Sequence, residues 1–193
     1  TPVPIIGNIG ANYPDIFAAA YRGDLQAVKR MGWNANQATN SGVTPLFVAA
    51  QEGHLEVVKW LAGKAPGEGG ADVNRATNSG ETPLFIAVQE GHLEVAKWLA
   101  GRGPGEGGAN VNKAENDGWT PLYIAALTGD LDMVKWLGGK APGEGGADVN
   151  RATNSGVTPL SNAAHMGRLE VVKWLAGKGQ GEGGADANLA GKK

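Results

Sequence analysis

The sequence predicts an all-α repeat solenoid of stacked helix–turn–helix pairs. Three observations carry this. "TPL" begins at Thr44, Thr82, Thr120 and Thr158, always 38 residues apart. "KWL" begins at Lys59, Lys97, Lys135 and Lys173 at the same 38-residue interval. A fixed period of about 20 to 50 residues is the mark of a stacked array. Glycine is the third signal: 32 of 193 residues, roughly twice an ordinary share of about 7%, concentrated in a "GEGG" stretch that recurs once per period.

The first unit is short. "PDIFAAAYRGDLQAVKRM" reads as a helix pair, and "GWNANQAT" follows at once, without the glycine-rich stretch. Tyr21, Arg22, Gln26 and Lys29 give it the polar exterior a capping unit requires. In the first full copy, "TPLFVAAQEGHLEVVKWLAG", Thr44 is placed to cap a helix whose first residue is Pro45, where the missing N–H costs nothing. Leu46, Ala49 and Ala50 form an apolar stripe at helical spacing. Gly53 ends that helix. A second begins near Leu55, with Leu55, Val58, Leu61 and Ala62 on one side and Glu56 and Lys59 on the wet side. Helices this short are marginal alone, so stacking must supply their stability. The units divide as 13–39 (an N-terminal cap), 40–77, 78–115, 116–153 and 154–190, with 191–193 a flexible tail, in a single domain.

"GVTPLFVAAQEGHLEVVKWLAGK" followed by "GADVN" resembles the ankyrin repeat, and the match recurs in register over nearly the whole chain. The resemblance implies a β-hairpin finger and two antiparallel helices per unit, in a curved stack that binds other proteins. There are two departures. The usual His after T-P-L is Phe47, Phe85, Tyr123 and Ser161 here, and the 38-residue period exceeds the family's about 33. Removing "APGEG" restores the ordinary text, so the glycine-rich stretch is an insertion between the second helix and the next finger.

That insertion admits three readings. A phosphate cradle needs N–H groups at a helix N-terminus, whereas these glycines follow a C-terminus, where anions are disfavoured. Cation binding has weak candidates in Glu68, Glu106, Glu144 and Glu182, followed by Asp72, Asn110, Asp148 and Asp186. One loop supplies at most two carboxylates, and calcium takes six to eight oxygens. The spacer reading is favoured: Gly63 caps the helix, Pro66 stops it, and Gly67, Gly69 and Gly70 permit left-handed turns.

Chemistry has little raw material. There is no cysteine, and the net charge is −2, which offers no basic face for nucleic acid. No apolar run is long enough to span a membrane. His54 and His92 sit where the second helix starts, a structural position. Trp60, Trp98, Trp136 and Trp174 fall beside a core leucine in each second helix. We expect no enzyme activity, no cofactor, no metal, no nucleic acid, no membrane, and a cytoplasmic location.

Function is sought where the copies disagree. The resemblance places a protein partner at the fingers and the exposed side of the first helix. Those positions are polar in the early copies (Asn40, Ser41, Gln51, Glu52, then Asn78, Ser79, Glu81, Gln89, Glu90). They become Asp117, Trp119, Leu127, His165 and Met166 later, with Tyr123 one helical turn before Leu127. The binding candidates are therefore Trp119, Tyr123, Leu127, His165, Met166, Asp117, Glu81 and Gln89. The competing reading is that Trp119 packs on the neighbouring finger and the remainder is drift. Two other classes stay open: a spacer that self-associates head to tail through its C-terminal face, and a small-ligand binder using the GEGG loops.

Overall fold

The computed structural model describes residues 16–31, 35–63, 70–101, 108–139 and 146–177. They form five helix pairs: α1 (Ile16–Arg22) and α2 (Leu25–Arg30), α3 (Pro45–Gln51) and α4 (Leu55–Ala62), α5 (Pro83–Gln89) and α6 (Leu93–Ala100), α7 (Pro121–Thr128) and α8 (Leu131–Gly138), α9 (Pro159–His165) and α10 (Leu169–Gly177). Each helix packs against its pair mate. The first helices stack in order, α1 on α3, α3 on α5, α5 on α7 and α7 on α9, while the second helices touch more sparsely behind them.

The starts of the first helices are set by local chemistry. Thr44, Thr82 and Thr120 each accept the backbone N–H three residues on, from Phe47, Phe85 and Tyr123, all at 3.1 Å. Thr158 does the same for Ser161, whose hydroxyl returns the bond to the Thr158 backbone N–H at 3.0 Å. Of the residues replacing the family's histidine, Phe47, Phe85 and Tyr123 are core, at 1%, 2% and 6% exposed, while Ser161 is half-buried.

The second helices start differently. Asp24 and Asp130 cap α2 and α8 with their carboxylates. His54 and His92 make no cap bond. Their Nε2 atoms reach the carbonyls of Tyr21 and Gln51 in the preceding unit, each at 2.9 Å. A carbonyl only accepts, so Nε2 carries the proton. Arg168 repeats the link through Nε to the Leu127 carbonyl at 3.1 Å. The tryptophans pack on the core edge, and the Trp174 ring lies so close over Gly138 that a Cβ there would come within 3.0 Å of it.

Two asparagine ladders tie the units together. Asn36, Asn74 and Asn112 donate from Nδ2 to the carbonyls of Gly70, Gly108 and Gly146, and accept from the N–H of Asp72, Asn110 and Asp148. At the fingertips, Asn78, Asn116 and Asn154 donate from Nδ2 to the carbonyls of Asn40, Asn78 and Asn116. The same residues donate their backbone N–H groups to Ser41, Ser79 and Asp117.

The expected β-hairpin is not formed, and no strand occurs among the described residues. Each finger is a turn held by two backbone bonds, such as Thr77 N–H to the Glu81 carbonyl and Gly80 N–H to the Thr77 carbonyl, both at 2.9 Å. The returning N–H of Glu81 goes to the Thr77 hydroxyl instead, which ends the ladder. Gly118 (φ +86°) sits at such a turn, where a Cβ would come within 2.6 Å of the Asn154 nitrogen.

The glycines after the second helix are not in left-handed turns where they are described. Gly63 has φ −71°, and neither Gly63 nor Gly70 is among the positive-φ positions. Gly63 is small because a Cβ would meet the Lys59 carbonyl at 2.6 Å. Pro66, Gly67, Gly69, Glu68, Glu106, Glu144, Glu182 and Asp186 lie outside the described residues. Asp72, Asn110 and Asp148 accept the N–H two residues on, from Asn74, Asn112 and Asn150.

Candidate functional site

The third full finger departs from its neighbours in sequence, "KAENDGWT" against "RATNSGET" and "RATNSGVT". In the other fingers a threonine hydroxyl closes the turn, accepting the N–H of Val43, Glu81 or Val157. Here Glu115 takes that position. One carboxylate oxygen accepts both the Trp119 N–H at 2.8 Å and the Asp117 N–H at 2.9 Å. Bonds to an ionised acceptor are stronger than neutral ones, so Glu115 holds the finger that carries the tryptophan. Sequence reasoning passed over Glu115, although its break with the Thr39, Thr77 and Thr153 pattern was the available signal.

Trp119 is half-buried against the core. Its ring lies 5.3 Å from that of Tyr123, tilted by 39°, within the range in which aromatic pairs attract. Tyr123 itself is only 6% exposed. It is a core residue, on a helix that packs against both α5 and α9. Burial pushes its phenol above the usual 10.0. Leu127, one turn on, is half-buried, and its carbonyl is taken by Arg168.

His165 is exposed and Met166 is 44% exposed, at the end of α9 beside α7. Trp119 on its finger and Leu127 at the end of α7 thus belong to one unit, and His165 and Met166 at the end of α9 to the next. The remaining candidates lie apart or are engaged locally. Glu81 accepts from the Ser79 hydroxyl at 2.7 Å. Gln89 donates to Glu90 at 3.2 Å. Asp117 is exposed, and its carbonyl accepts the Asn154 N–H. Val43, at the position of Trp119 in the first full unit, is buried at 3%.

Among the described residues no cluster of three metal-ligating side chains occurs, and no helix is long and apolar enough to cross a membrane. Lys59, Lys97 and Lys173 pair with Glu56, Glu94 and Glu170 along exposed second helices, each worth about 0.5 kcal/mol at most.

A stack of helix pairs with short fingers, and side chains that vary on one face, defines a repeat-protein scaffold. The family model for ankyrin repeats (3 copies) matches residues 16–112 and 105–189. The chain belongs to the ankyrin repeat family, whose members are generally protein–protein interaction modules and typically non-enzymatic scaffolds. No curated protein matches the chain.

Proposed function

We propose that this chain binds a partner protein, without covalent chemistry, through the face built by its fingers and first helices. The contact is centred on Trp119, Leu127, His165 and Met166. The observation that carries this reading is the third finger: a carboxylate clamp holds a half-buried tryptophan on a buried tyrosine, at the position where the first full unit has a buried valine. A preformed aromatic anchor loses little entropy on docking, and such anchors dominate interface affinity.

The test is affinity capture from a native lysate with quantitative mass spectrometry. Partners retained by the wild-type chain should be lost with Trp119→Ala and Met166→Asp, and kept with Glu56→Lys on a second helix. Partners indifferent to both face variants but lost on deleting the "APGEG" units would show that binding resides in the glycine-rich stretches.

A second reading rests on another surface. In the last described unit Leu169 is 60% exposed and Ala164 and Ala176 are exposed, whereas Ala50 and Ala62 are at most 1% exposed. Head-to-tail self-association through this face would show as concentration-dependent sedimentation that Leu169→Asp abolishes.

A further inference from the structure

The finger and first-helix face carries an unbalanced charge pattern, and this specifies the chemistry of what docks there. In the full units, the positions on this face include Glu52, Glu81, Glu90 and Asp117 and no lysine or arginine. The one cation at an equivalent position is Arg22, in the first unit. The basic side chains of the finger bases are turned to other work: Arg75, Lys113 and Arg151 reach back to the carbonyls of Asn36, Asn74 and Asn112. Lys59, Lys97 and Lys173 are paired on the second helices. Glu52, Glu90 and Asp117 make no ion pair among the described residues.

Fold stability does not account for two of these acids. Glu52 and Glu90 are the C-cap residues of α3 and α5. A helix C-terminus presents partially negative carbonyls and favours cations, so a carboxylate there works against its own helix. The equivalent positions in the next two units, Thr128 and Met166, are uncharged. The helix ends of this face therefore run from acidic at α3 and α5 to uncharged at α7 and α9, and Asp117 stands on the third finger two residues from Trp119. Neighbouring first helices pack about 10 Å apart, so four of them span roughly 30 Å. That matches about nine residues of extended chain or about twenty of helix.

We propose that the occupant is a cationic polypeptide segment. It lays Lys or Arg side chains across Glu52, Glu90 and Asp117 and seats an aliphatic or aromatic side chain beside Trp119 or Met166. This rests on the reading of the face as the binding surface, and the test separates the two.

A random twelve-residue phage-display library is panned on the full chain. The selected peptides are then titrated against the wild type, the Glu52→Lys/Glu90→Lys/Asp117→Lys variant, Trp119→Ala and Met166→Asp, with circular dichroism checking each fold. The expected outcome is peptides rich in Lys and Arg with one large apolar residue. Their affinity falls roughly tenfold in the triple reversal, from rim pairs alone, and weakens with added salt. The two helix-end reversals should leave Tm unchanged or slightly raised, so lost binding cannot be assigned to unfolding. Neutral or acidic peptides that lose binding with Trp119→Ala, yet are indifferent to the reversals, would overturn the cationic segment and leave the face standing. Peptides indifferent to Trp119→Ala and Met166→Asp, or no enrichment at all, would overturn the face itself.

Discussion

Replacing Asn162 by isoleucine should stabilise the last described unit. Asn162 is 7% exposed, and its Nδ2 has no hydrogen-bond partner in the structure. The equivalent residues, Val48, Ile86 and Ile124, are 0%, 1% and 2% exposed. A buried, unpaired polar group costs about 1–3 kcal/mol. Overpacking is the opposing term, about 1–3 kcal/mol where no room exists. Here the neighbouring residue is Ser161, in place of the Phe47, Phe85 and Tyr123 rings, so volume has already been removed beside the site. The net expectation for Asn162→Ile is a gain of about 1–2 kcal/mol. For a domain of this size that raises Tm by roughly 2–8 °C. Repeat arrays open locally, so amide exchange in α9 and α10 should also slow, by about 5- to 30-fold. Asn162→Ala separates removal of the amide from filling of the space. A lower Tm with faster exchange in Asn162→Ile would refute the reasoning, because either overpacking outweighs the gain or the amide is satisfied.

Four further outcomes are expected. Thr82 is 1% exposed and caps α5, so Thr82→Ala should cost about 1 kcal/mol, read as a lower urea midpoint. Tyr123 is buried and its folded pKa lies above 10.0, so the unfolded chain gives up this proton first. Its contribution is whole below about pH 10 and is lost as pH rises beyond it. Tyr123→Phe should therefore flatten the alkaline decline in stability, and an unchanged slope would show that this phenol does not drive it. Glu115→Ala frees the N–H groups of Trp119 and Asp117, and their amide exchange should quicken by about tenfold, near 1.4 kcal/mol. His92→Ala removes the bond to the Gln51 carbonyl and should cost about 1 kcal/mol, measured in urea. The loss should vanish if Gln51 is not a structural acceptor.

The helix starts, the turns between paired helices, the period and the family were legible in the sequence because they rest on local bonds. A threonine accepting from the residue three on, or a proline in a first turn, depends only on dihedral angles within one turn. Those words recur, so one copy explained the starts of the first helices in all four full units. Glu115 was legible by the same logic, since both its bonds lie within four residues, and only its divergence from threonine needed weighing.

Other features were decided by which units lie next to each other. Helical spacing put Tyr123 one turn from Leu127, yet it is core, on a helix packed between α5 and α9. Asn74 and His92 look like polar surface residues, and they bridge units because their partners, 34 and 41 residues distant, arrive only when the stack forms. The same stacking leaves Trp119 half-buried, its ring 5.3 Å from that of Tyr123. Burial is a property of neighbours in space, and a sequence states only neighbours along the chain.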